Sequence, residues 1–206
     1  MHPILRFCKL PYIDSGSLLP FLKEYTNPND FLSRLVKSGD LIRLKNGFYL
    51  IPELMENQLI PYEQIGNQLY GPSYISLEWA LSYYGMIPEG VYGVTSVSFL
   101  RSKIFKTPVG EFTYEHLSLP KFSCGQSLGK NGLGNFLIAT PEKALADLVY
   151  FKSKKMTPND LMIDLVEGRR IDIDQLKKLN KSYLLEIKTA YKSQNINALV
   201  EVIGLL

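Results

Sequence analysis

Asn29, Ser33, Arg34 and Lys37 are the side chains best arranged for chemistry, and the chemistry they suit is recognition of nucleic acid. Phe31, Leu32, Leu35 and Val36 give the same segment an apolar face at helical spacing. The four polar residues are left on the opposite side, with Ser33 one turn from Lys37. An arginine can bond guanine through two parallel hydrogen bonds, while Ser and Asn reach base edges or phosphates, so a helix of this kind fits the major groove. A few residues on, Arg43, Lys45 and Asn46 add groups that can meet phosphate or the minor groove. Asp30 and Arg34 are also spaced for a surface ion pair, and the same pattern can be a solvated face of a protein-binding module.

Arg101, Lys103 and Lys106 form a second basic patch. On a strand, residues 101 and 103 share a face and 106 does not, which suits either an extra phosphate contact or plain exposed lysines. The charge distribution separates the two patches. Residues 1–52 hold 7 Lys/Arg against 4 Asp/Glu, residues 53–100 hold none against 5, and residues 101–130 hold 5 against 2. This alternation fits a defined anion-binding face, although the whole chain carries only +3.

No catalytic residue, metal site or cofactor is expected. Gly125, Gly129, Gly132 and Gly134 surround Lys130, but a phosphate-binding P-loop needs one more residue before its Gly-Lys pair and a Ser or Thr after it, where Asn131 stands. The segment is expected to be a flexible loop. His2 and His116 are the only histidines, and neither has metal-ligand spacing with Cys8 or Cys124. His116 and Cys124 lack a third orienting group for nucleophilic catalysis. Glu142 and Asp147 are expected to pair with Lys143 or nearby basic groups. Two distant cysteines, no run long enough to span a membrane and no secretion-signal layout at the start suggest a reducing cytoplasm.

The spacing predicts the elements that would position these groups. Leu18, Phe21, Leu22 and Tyr25 share a helical face, with Ser17 as cap and Pro20 in the first turn. After Asn27-Pro28 a second helix is expected, capped by Asn29 or Asp30 and stopped at Gly39. Asn46-Gly47 then joins residues 41–44 and 48–51 as a tight hairpin. Helix, turn, helix, hairpin is the order of a winged helix-turn-helix, assigned to residues 1–56, with residues 53–60 as connection. Residues 57–206 form the second domain. It should open with helices over 62–70 and 73–85, capped by Ser73 or Ser76, and continue with strands between Val91 and His116 turning at residues 108–110. A strand then passes into a helix at Thr140-Pro141-Glu142, and the helical end closes on Ile196, Leu199, Val200 and Ile203. The expected class is α+β: a small winged helix-turn-helix followed by a mixed α/β domain with a helical C-terminal end.

Three segments together resemble the AbiEi-type antitoxin family of abortive-infection toxin-antitoxin systems. They are SRLVKSGDLIRLKNGFYLIP, then SYISLEWALSYYGMIPEGVYGVTSV followed by FKTPVGEFTYEHL, and ATPEKALADLVYF. The resemblance runs from about Ser17 to Phe151, and its middle block is the specific part. It implies a bacterial transcriptional autoregulator whose DNA-reading helix and wing fall on Asn29 to Ser38 and Arg43 to Phe48. The implied partners are double-stranded DNA at inverted repeats in its own promoter and a cognate nucleotidyltransferase-like toxin, opposed with or without a stable complex. Arg34 and Lys37 are the only positive side chains of that helix, so a monomer in solution that assembles cooperatively on DNA is expected. The alternatives are a protein-interaction module, or a toxin-modifying enzyme built on the anion-holding helix start at Thr140 to Lys143.

Overall fold

Asp14 closes the first strand, β1 (Tyr12–Asp14), and opens the first helix, α1 (Ser15–Leu18), its carboxylate accepting from the Ser17 N–H at 3.0 Å. The structure is a computed structural model and describes residues 2–23, 25–55, 59–88 and 90–206. Asp14, rather than Ser17, is therefore the cap, and the spacing from Leu18 onward is realised as a 3-10 turn over Leu19–Leu22. The tighter winding buries Leu18 and Leu22 and turns Phe21 outward, 51% exposed, to stack on Phe7 at 3.8 Å. The second helix, α2 (Pro28–Lys37), is capped by Asn27 instead of Asn29 or Asp30. The Asn27 side chain accepts from the Asp30 N–H at 3.4 Å, and Pro28 takes the first helical position, where no N–H is needed. Gly39, at φ +82°, follows the helix end as expected.

Strands β2 (Ile42–Lys45) and β3 (Phe48–Leu50) meet at Asn46-Gly47, with Gly47 at φ +77°. The unanticipated β1 pairs antiparallel with β3, giving a sheet of order β1-β3-β2. Successive side chains of β3 point to opposite faces, and both faces are buried. Tyr49 joins the core around Phe31, Leu32 and Leu35, whereas Phe48 and Leu50, with Leu44 of β2, join the larger core of the chain. The hairpin is a seam between two cores rather than a free flap. The expected domain boundary, 56/57, lies outside the described residues, as does part of the expected 53–60 connection.

The larger part begins with helix α3 (Tyr62–Leu69). Residues 73–75, expected to be helical, form strand β4 (Ser73–Ile75), and helix α4 (Leu77–Tyr83) starts only after Ser76. The expected strands follow as β5 (Val94–Ser98), β6 (Lys103–Thr107) and β7 (Gly110–His116), then a short helix α5 (Leu119–Phe122). The glycine-rich segment is a hairpin, not a loop: β8 (Gln126–Asn131) pairs antiparallel with β9 (Gly134–Ala139). Thr140 caps helix α6 (Pro141–Lys152) as expected, accepting from the Lys143 N–H at 3.3 Å. Six strands form one mixed sheet of order β6-β7-β5-β4-β9-β8.

Side-chain alternation along β4 fixes the layers. The Ser73 Oγ donates to the Gly66 carbonyl of α3, and Ile75 lies against Gly66, while Tyr74 between them reaches Asp147 of α6. Helices α3 and α6 therefore cover opposite faces of the sheet. The C-terminal end is helical: α7 (Pro158–Ile163), a π-helical turn (Asp164–Gly168), α8 (Ile173–Lys177), α9 (Lys181–Tyr191) and α10 (Gln194–Leu205). Ile196, Leu199 and Ile203 are buried. The class is α+β.

Gly129 shows why a glycine-rich stretch can be a strand. A Cβ there would fall 2.4 Å from the Phe136 ring across the hairpin, so the ring occupies the place of a side chain. Gly129→Ala is expected to cost about 1–3 kcal/mol through overpacking, read from the shift of the urea midpoint. An unchanged midpoint would show that Phe136 swings aside freely.

Candidate nucleic-acid interface

Helix α2 buries Phe31, Leu32 and Leu35 and leaves Asn29, Arg34 and Lys37 exposed, with Ser33 half-buried. The sorting follows from the 3.6-residue period, and it leaves three of the four predicted recognition residues exposed. Arg34 forms no ion pair with Asp30. Its guanidinium lies over the Phe31 ring at 5.6 Å, which holds the stem against the helix while the N–H groups face outward. The Ser33 Oγ donates to the Asn29 carbonyl at 2.9 Å, so this hydroxyl offers a partner its lone pairs rather than its proton.

At the hairpin, Arg43 and Asn46 are exposed, and the Arg43 guanidinium lies 6.0 Å from the centre of the Tyr49 ring. Lys45 is placed differently. Its Nζ donates to the Leu69 carbonyl, the last residue of α3, at 2.5 Å. Burial, and then the nearby charge of Lys103, lower its pKa from the usual lysine value. Lys45 thus ties the hairpin to the larger core, and its ammonium is already engaged.

The same contact brings the two basic patches together, because β2 packs beside β6, the edge strand of the six-stranded sheet. Lys103 is exposed and holds its ammonium over the rings of Phe105 at 4.8 Å and Tyr70 at 5.5 Å. Arg101 is exposed on a turn pinned by hydrogen bonds from the Tyr70 hydroxyl to the Arg101 carbonyl and between His116 Nδ1 and the Leu100 carbonyl. Lys106 is exposed too, but it stands across from Glu111 in the β6–β7 register, so its field is partly cancelled. Arg43, Lys45 and Lys103 therefore belong to one edge, with Arg101 beside it.

The most heavily bonded polar group lies elsewhere. Lys143 and Asp147 of α6 are both 0% exposed and paired at 2.8 Å. The Lys143 Nζ also donates to the Lys121 carbonyl at 2.9 Å and to the Tyr191 hydroxyl. Asp147 accepts from the Ser76 hydroxyl at 2.6 Å, the Tyr74 hydroxyl at 3.2 Å and the Tyr191 hydroxyl. Burial, reinforced by the Asp147 charge, pushes the Tyr74 and Tyr191 hydroxyls far above the usual phenol range, so both remain donors. The i, i+4 spacing indicated the Lys143–Asp147 pair, but nothing local indicated the tyrosines, which come from β4 and α9. The network is sealed from solvent and offers no surface to a ligand.

The start of α6, considered as an anion site, is likewise closed. Glu142 is buried and accepts from the Asn180 N–H at 2.8 Å, rather than pairing with a basic side chain. Cys124 donates to the Lys121 carbonyl at 3.4 Å. Among the described residues no three His, Cys, Asp or Glu side chains are grouped to hold a metal ion. No described helix is long and apolar enough to cross a membrane. No family model matches the chain, and no curated protein matches it.

Proposed function

We propose that this chain is a cytoplasmic DNA-binding transcription regulator of the antitoxin kind, reading DNA with α2 and holding phosphates with the edge formed by β2 and β6. The observation that carries the reading is the outward face of α2, where Asn29, Arg34 and Lys37 are exposed together. The element order supports a winged helix-turn-helix, with β1 completing the small sheet. Modest charge on the helix is offset by Arg43, Lys103 and Arg101 on neighbouring elements, and by two copies on inverted repeats in its own promoter. The antitoxin part rests on the resemblance of the segments between Ser17 and Phe151, and it assigns as partner a nucleotidyltransferase-like toxin.

Gel-shift titration with DNA from just upstream of the reading frame tests the first part. Saturable binding that a shuffled fragment of equal composition fails to compete supports it, and equal affinity for both fragments would overturn sequence-specific regulation. Co-expression with a neighbouring nucleotidyltransferase-like frame tests the second part by growth rescue. Charge reversal of the edge, Arg101→Glu with Lys103→Glu, is expected to weaken promoter binding by at least about tenfold near 0.15 M salt while leaving the circular dichroism spectrum unchanged, because both residues are exposed. Full affinity in that variant would remove β6 from the interface.

A further inference from the structure

Asp30 is the only acidic residue of α2, and it is exposed in the first turn of that helix. The fold makes no use of its carboxylate. Its backbone N–H donates to Asn27 Oδ1, but among the described residues the carboxylate itself has neither a hydrogen bond nor an ion pair. A capping box would fold such a side chain back onto the N–H of the cap residue, and that bond is not made. Arg34, one turn further on, leans on the Phe31 ring at 5.6 Å instead of reaching Asp30. Two groups of opposite charge at ion-pair spacing are therefore both left open to a partner.

A free carboxylate on a DNA-reading face opposes the phosphates and weakens every sequence-independent contact. In the major groove it has one fitting partner. Guanine presents only the acceptors N7 and O6, thymine presents the acceptor O4, and adenine sets its amino group beside the acceptor N7. Cytosine alone shows an amino donor with no acceptor next to it, so a carboxylate accepts from cytosine N4 and is repelled by guanine and thymine. The first turn of a recognition helix is also the part that meets base edges.

The surroundings of Asp30 match that chemistry. An open hollow of about 530 Å³ lies at this turn, bordered by Tyr25, Thr26, Asn27, Asp30 and Arg34. Asp30 is its only anion, and Arg34 brings donors to the same rim. Donors beside one carboxylate complement G·C pairs, in which guanine supplies the acceptors and cytosine the amino group. At 1.5 Å per residue the two side chains start about 6 Å apart along the helix, a span of one to two base-pair steps of about 3.4 Å. We infer that Asp30 selects a cytosine in the promoter, within two base pairs of the guanine bonded by Arg34. The inference rests on α2 as the reading helix and adds to that reading a base identity and an acidic residue that enforces it.

Selection of bound duplexes from a randomised DNA pool, with the full chain and its variants, tests this by sequencing. Asp30→Ala is expected to lose the preference for cytosine at one position of the enriched motif by at least about fivefold, with the other positions kept. Asp30→Asn is expected to move that position from cytosine to adenine, because an asparagine side chain bonds adenine N6 and N7 together. Both variants should bind unselected DNA more tightly than the parent, since a negative charge has left the interface. A carboxylate that serves only the helix dipole would shift the urea midpoint and leave the motif alone. A motif unaltered in both variants would therefore overturn the inference, and so would a guanine lost in Arg34→Ala more than two base pairs from the Asp30 position. Either result leaves α2 as the reading helix. A motif that survives Arg34→Ala with Lys37→Ala, or no enriched motif with the parent chain, would overturn the α2 reading and this inference with it.

Discussion

Lys143→Met is expected to destabilise the chain by about 3–5 kcal/mol, a large share of the stability of an ordinary domain. The side chains are close in volume, so the loss comes from charge rather than space. Removing the ammonium leaves the Asp147 carboxyl fully buried without its cationic partner and supported only by the hydroxyls of Ser76, Tyr74 and Tyr191. It also frees the Lys121 carbonyl, which loses its lysine donor. A double variant, Lys143→Met with Asp147→Leu, removes the stranded carboxyl and is expected to regain part of the loss. It cannot regain all of it, because the three hydroxyls then lack their shared acceptor. Urea denaturation of the single and double variants measures both effects. A single variant as stable as the parent, or a double variant less stable than the single, would contradict this account of the network.

The second large effect is expected on DNA. Arg34→Ala with Lys37→Ala should weaken promoter binding by about 10–100-fold near physiological salt. It should also flatten the dependence of log K on log salt by about 0.9 for each phosphate no longer neutralised. The two residues separate these terms. Lys37→Ala alone takes a positive charge away from the DNA backbone and weakens all sequences alike, while Arg34→Ala relaxes the preference at one base pair. Both side chains are exposed and neither supports the core, so the fold should be intact by circular dichroism. Unchanged affinity and slope in the double variant would rule out α2 as the reading helix.

Local punctuation makes much of this legible. Gly39, Asn46-Gly47 and Thr140-Pro141 each dictate a backbone state by their own chemistry, and the elements they bound stand where expected. Spacing alone misplaces the cap of α2 because Asn27, Asn29 and Asp30 are all competent acceptors, and Pro28 favours the earliest of them. Strands β1 and β4 have three residues each, too short for alternation to show, and exist through their partners β3, β5 and β9. The hairpin of β8 and β9 is hidden by glycine content, whose reason is the Phe136 ring.

The candidate site divides along the same line. The outward face of α2 follows from a single helical period and can be read directly. The diversion of Lys45 to the Leu69 carbonyl and the joining of the hairpin to β6 depend on residues far apart in sequence, which periodicity does not connect.

The hairpin seam bears on how the molecule can be taken apart. Cutting the chain after the first module would bare Leu44, Phe48 and Leu50 on one fragment and strip their cover from the other, giving two sticky pieces instead of two working ones. The two cores share the side chains of one hairpin and should therefore melt as a single cooperative unit.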